Sequence, residues 1–101
     1  MYHSIEANRR SVTRMQATGL LLTELQANPI KYGKDAVQCQ ARQMGMDYVE
    51  CKRHMKLAEL DQSTVDQLLD AGLPSRSILY LASLPEENRR APIVAFLKGK
   101  Q

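Results

Sequence analysis

Three cations stand close together in Asp47-Tyr48-Val49-Glu50-Cys51-Lys52-Arg53-His54-Met55-Lys56. On one helix, side chains of this kind can neutralise phosphates and donate to base edges, and arginine is the best reader of guanine. Tyr48, at the amino end, can meet a backbone phosphate or a thymine methyl. Catalysis is not expected. Neither His3 nor His54 sits in a nucleophile or acid–base arrangement, Ser75 and Ser77 have no histidine nearby, and no glycine-rich phosphate loop is present. Cys39, Cys51 and His54 offer three soft ligands to zinc. They lack a fourth partner and the short Cys-x-x-Cys spacing, so no metal or other cofactor is expected. Both thiols are read as small buried hydrophobes, and two cysteines without a secretion-like leader suggest a reduced, cytoplasmic setting. His54 is expected to pack at the helix flank rather than to touch phosphate, and His3, in a polar terminus, to be inert.

The basic stretch needs an element to hold it out. Gly45 sits between two methionines, where one helical pattern ends and another begins. In a helix-turn-helix the helices cross steeply over a turn of three or four residues, which requires a small residue at the crossing and favours glycine in the turn. Ala41, four residues before Gly45, is that small residue. Met44 and Met46 can plug the junction, Cys51 takes a buried place on the second helix, and Met55, Leu57 and Leu60 continue its apolar side. Gln40 stands where an aliphatic residue normally packs, so Val37 or Cys39 is expected to fill that space. Asp47, Tyr48, Val49, Glu50, Lys52, Arg53 and Lys56 are left for solvent or ligand.

The rest reads as helical support. The chain has 101 residues, 44% hydrophobic and 25% charged, with one Phe and no Trp, which fits one all-α domain with an aliphatic and methionine core. A first helix is expected over 5–27, frayed before Ser11, with Val12, Met15, Leu20, Leu22 and Leu25 inward and Asn28-Pro29 ending it. Ile30 to Gly33 reads as a connector. The helix-turn-helix spans about 35–58, its first helix running from Asp35 to Met44 with Ala36, Val37, Cys39, Ala41 and Met44 inward. Supporting helices fill 61–97: one opened by Asp61 and closed by Gly72 with Val65, Leu68 and Leu69 inside, and one carrying Ile78, Leu79, Leu81 and Ala82. The last begins at Leu84-Pro85-Glu86-Glu87 and buries Ile93, Val94, Phe96 and Leu97. Pro92 should break this last helix or move its start to about Ala91. About six helices result, with 98–101 as a mobile tail. Tyr80 is read as core or interface, and Arg89 and Arg90 as partners of Glu86 and Glu87.

Charge is uneven. Of the formal net +3, residues 1–56 carry nine Lys/Arg against five Asp/Glu, while residues 57–101 carry five against six. The basic half is the half with the candidate motif, as expected for contact with phosphates. Lys31 and Lys34 precede the motif's first helix, where side chains and free amides often meet the DNA backbone. Arg9, Arg10 and Arg14 form either a second phosphate-binding edge or a solvated helix start. The longest apolar run, Gly19-Leu20-Leu21-Leu22, is a single helical turn, so no membrane contact is expected.

From Ala41 onward the order of residues resembles the central DNA-binding domain of the ParB family, including KorB-type plasmid regulators. The likeness is carried by YVECKRHMKLAELDQSTVDQLLDAGLPSRSILYLASLPEENR and covers roughly residues 35–97. HMKLAEL is similar to the close of the family's recognition helix, and DQSTVDQLLDAGLPSRSILYLASLPEE to its next two helices. SIEANRR does not match the family's nucleotide-contacting box, because Ala7 separates Glu6 from Asn8, so no nucleotide role is carried over. The resemblance implies a helix-turn-helix followed by a helical bundle, binding double-stranded DNA in plasmid or chromosome partition or in transcriptional repression. Lys52 and Arg53 would occupy its exposed recognition positions.

The expected interface is therefore Lys31, Lys34, Arg42 and Lys56 on phosphates, and Asp47, Tyr48, Lys52 and Arg53 at a major-groove site. The expected partner is an inverted-repeat operator bound by a pair of chains, in a cytoplasmic protein associated with nucleoid or plasmid. The alternative is a small helical protein-interaction module, an adaptor or antagonist that does not bind DNA and docks through its acidic second half.

Overall fold

A computed structural model describes residues 5–99. They form α1 (Ile5–Ala27), α2 (Pro29–Tyr32), α3 (Ala36–Met44), α4 (Tyr48–Glu59), α5 (Gln62–Asp70), α6 (Ser75–Ser83) and α7 (Glu86–Gly99), with no strand among the described residues. The all-α reading holds, and α2 adds one turn of helix where a plain connector was expected. His3, Lys100 and Gln101 lie outside the described residues, while Lys98 and Gly99, expected in a mobile tail, end α7. Among the described residues no helix is long and apolar enough to cross a membrane.

α1 is the spine. It starts at Ile5 and is not frayed before Ser11, because two of its early side chains are tied down. Arg9 bridges to Asp66 at 3.1 Å and to Asp70 at 3.4 Å on α5, and Asn8 donates to the Leu73 carbonyl at 3.4 Å. Its inner face carries Val12, Gly19 and Leu22, with Met15 and Leu25 half-buried. Leu20, expected inside, is 61% exposed. It follows Gly19 by one residue and is therefore turned about 100° from the face that Gly19 fixes.

Each turn is closed by the residues that local chemistry demands. Gly45 adopts left-handed φ 68° and ψ 30°, and the Met46 amide donates back to the Ala41 carbonyl at 2.9 Å. The Asp47 carboxylate accepts from the Glu50 amide at 2.8 Å and opens α4, and Asp61 does the same for Thr64 at 3.2 Å. Asp35 flanks the start of α3 without a side-chain capping bond. α7 runs unbroken through Pro92, contrary to the expected break. The carbonyl that Pro92 cannot serve belongs to Asn88, and both residues are exposed, so water can take that bond.

Two apolar clusters hold the elements. The larger unites Val12, Leu57, Val65, Leu68, Leu69, Ile78, Leu79, Ala82 and Ile93, with Phe96 and Leu97 half-buried at its edge. The smaller joins Leu22, Ala41 and Cys51, ringed by Val37, Met44, Met46 and Met55. Val37, not Cys39, fills the space beside Gln40. Cys39 is exposed, since two residues from Ala41 it points to the opposite side of α3. Tyr80 at 59% and Val94 at 43% exposure also lie outside the core, Leu81 is only half-buried, and Met55 only partly so. Arg89 donates to the Ala82 carbonyl at 3.1 Å, where pairing with Glu86 or Glu87 was expected. A cation at the carboxyl end of α6 meets the negative end of its dipole.

Candidate nucleic-acid interface

α4 is held chiefly against α1 and then against α6. Its buried seam is Cys51, His54 and Leu57, one helical turn apart. The ring Nδ1 of His54 lies 2.7 Å from the Glu50 carbonyl oxygen, so Nδ1–H donates there within the helix. At the crossing, α1 presents Gly19 to the backbone of α4. A Cβ at position 19 would fall onto the His54 carbonyl oxygen and come within 2.6 Å of the His54 carbonyl carbon.

With the seam fixed, 3.6-residue periodicity sends Lys52 and Lys56 to the far side of α4. Both are exposed. Tyr48, 66% exposed, stands one turn before Lys52, whose Nζ lies 5.1 Å from the ring centroid. Val49, 55% exposed, shares this row. Arg53 does not. It sits on the flank of the helix, and its Nη1 bonds Glu50 Oε1 at 3.2 Å. The three cations of the basic stretch thus divide into two lysines with no ion pair among the described residues and one arginine held by an acid.

α3 supplies the crossing. Ala41 is buried against Leu22 and Cys51, and a cleft between α3 and α4 has Ala41 and Cys51 in its floor and Arg42 and Tyr48 on its exposed rim. Lys31 and Lys34 are exposed on α2 and on the link to α3, and Lys31 Nζ lies 5.1 Å from the Tyr32 ring centroid. α2 rests on α1 rather than chiefly on α4. Among the described residues Lys31, Lys34, Arg42, Lys52 and Lys56 form no ion pair.

Arg9, Arg10 and Arg14 do not extend this surface. Arg9 is engaged by Asp66 and Asp70. Arg10 and Arg14 lie on the side of α1 turned away from Gly19, and so away from α4. Burial, then the charges of Asp47 and Glu50, push the Cys51 thiol up, which keeps it neutral and unreactive at the crossing.

Val49 and Glu50 were expected on the outer side of α4, but the Gly19 contact and the Glu50–Arg53 pair escaped the reading of the sequence. Gly19 had a signal, a lone glycine inside a helical pattern, which usually marks close packing. Glu50 had one in its spacing of three from Arg53. No protein-family model, curated protein or solved structure shows significant similarity to the chain.

Proposed function

We propose that α3, the Gly45 turn and α4 act as a helix-turn-helix that lays the outer row of α4 in the major groove of double-stranded DNA. The role would be that of a ParB/KorB-like domain in partition or repression, without catalysis or cofactor. One observation carries the reading: Lys52 and Lys56 are exposed on the side of α4 opposite its buried seam and join no ion pair among the described residues. Lys31, Lys34 and Arg42 would add phosphate contacts from α2 and α3. Tyr48 and Val49, at the amino end of α4, would meet base edges, as recognition helices present their first turns to the groove. Arg53 would read guanine only after leaving Glu50.

Fluorescence anisotropy of a labelled duplex across a salt series tests this. The chain should bind more weakly as salt rises, and Lys52→Ala with Lys56→Ala should lower the log–log salt slope by about 1 for each phosphate contact removed. A chain that binds neither random nor selected duplex at low salt is not a DNA-binding domain. The interaction-module reading then takes its place, favoured by the exposed Leu20 and Leu21 of α1.

A further inference from the structure

We propose that the outward face of α1 pairs with the same face of a second copy of this chain, antiparallel, about a two-fold axis at Ala17. The inference is independent of the DNA reading. Arg10, Thr13, Ala17, Leu20, Leu21 and Glu24 recur every three or four residues, fall on the side away from the Gly19–His54 crossing, and are all exposed. Among the described residues no other helix covers them.

The face has two unlike halves. The first is a shallow groove lined by Glu6, Arg9, Arg10, Thr13, Arg14 and Ala17. The second is raised and apolar, with Leu20 at 61% and Leu21 at 42% exposure. In an antiparallel pair centred on Ala17, the residue four before the axis meets the residue four after it. Thr13 then faces Leu21, Arg14 faces Leu20, and Arg10 faces Glu24. Each leucine pair enters the partner's groove, and each Arg10 meets a carboxylate. The small side chain at the axis lets the helices approach closely. A contact of this symmetry is self-complementary and closes at two copies.

Charge usage agrees. Arg9 is taken by Asp66 and Asp70, but Arg10 and Arg14 join no ion pair among the described residues. Glu24 accepts from Asn28 at Oε2 at 2.6 Å, which leaves Oε1 for Arg10 of the other copy. Because the face lies across α1 from α4, pairing leaves Lys52 and Lys56 open.

Sedimentation velocity of the full chain over a concentration series should show reversible dimerisation. R10E and E24R should each weaken it about tenfold or more, because each reversal places two like-charge contacts in the interface. The double variant R10E/E24R should recover it to within a few-fold. Far-UV circular dichroism and melting of each variant report whether the fold is kept. As a second route, A17C in a C39S background should form a disulfide-linked dimer on mild oxidation, since residues at the axis are neighbours. A chain that stays monomeric at every concentration overturns the proposal. So does a dimer that ignores both reversals and leaves A17C uncrosslinked.

Discussion

The chain turns the same corner twice with different fillings. At Gly45 and at Gly72 a helix ends on a positive-φ glycine, and the next amide reaches back five residues: Met46 to Ala41 at 2.9 Å, and Leu73 to Leu68 at 3.0 Å. Behind Gly72 lie Val65, Leu68, Leu69, Ile78, Leu79 and Ala82, each at most 2% exposed. Behind Gly45 only Leu22, Ala41 and Cys51 are buried, and three of the four residues ringing them are methionine. The backbone fixes the shape of a corner, while its side chains fix how stiff it is. Branched side chains interlock, and methionine adapts. The corner offered as a reading head is thus the softer one, carried by a stiffer scaffold that owns most of the buried aliphatic surface.

The largest expected effect is in the scaffold. Leu68→Ala should cost about 4 kcal/mol in chemical denaturation, from lost transfer energy and a cavity that rigid neighbours do not fill. A loss near 1 kcal/mol would erase the contrast between the corners. Gly19→Ala should come next, with a loss of about 2 kcal/mol, although alanine favours a helix over glycine by about 1 kcal/mol at an open site. A gain in stability there would mean that α1 and α4 do not meet backbone to backbone. Met55→Ala, in the softer corner, should cost about 1 kcal/mol, because the side chain is half-buried and its surroundings can settle.

The smallest effect belongs to the surface tie between α1 and α5. Hydrogen bonds from Gln62 and then Arg9, together with the Arg9 charge, hold the Asp66 carboxyl below its ordinary range. The stabilisation is complete above the usual carboxylate pKa and is lost as pH falls through the lowered one. Melting from pH 7 to pH 2 should therefore fall more steeply for the natural chain than for Asp66→Asn. Parallel curves would show that the pair contributes nothing measurable, as many exposed pairs do.

Much of this architecture is legible in the sequence, because short-range chemistry dictates it. Asp47 and Asp61 cap, Gly45 and Gly72 stop, and Ala41 is small where a helix crosses. What was not legible depended on phase or distance. Leu20, Leu21, Leu22 and Leu25 suit several helical faces, and only the Gly19 contact selects Leu22. Arg9 finds partners 57 and 61 residues away, beyond the reach of local spacing. For the candidate site, the basic row was visible, but its division was not. Spacing alone could not say that Glu50 would hold Arg53 while Lys52 and Lys56 joined no ion pair among the described residues.

At Gly19 the main chain of α1 sits directly on the main chain of α4. Side chains at a helix crossing act as adjustable spacers, and α1 supplies none at this point of contact. At this point the separation of the two helices is set by backbone thickness. A side chain added at position 19 would press on the His54 carbonyl and push α4, with the lysines it carries, off α1.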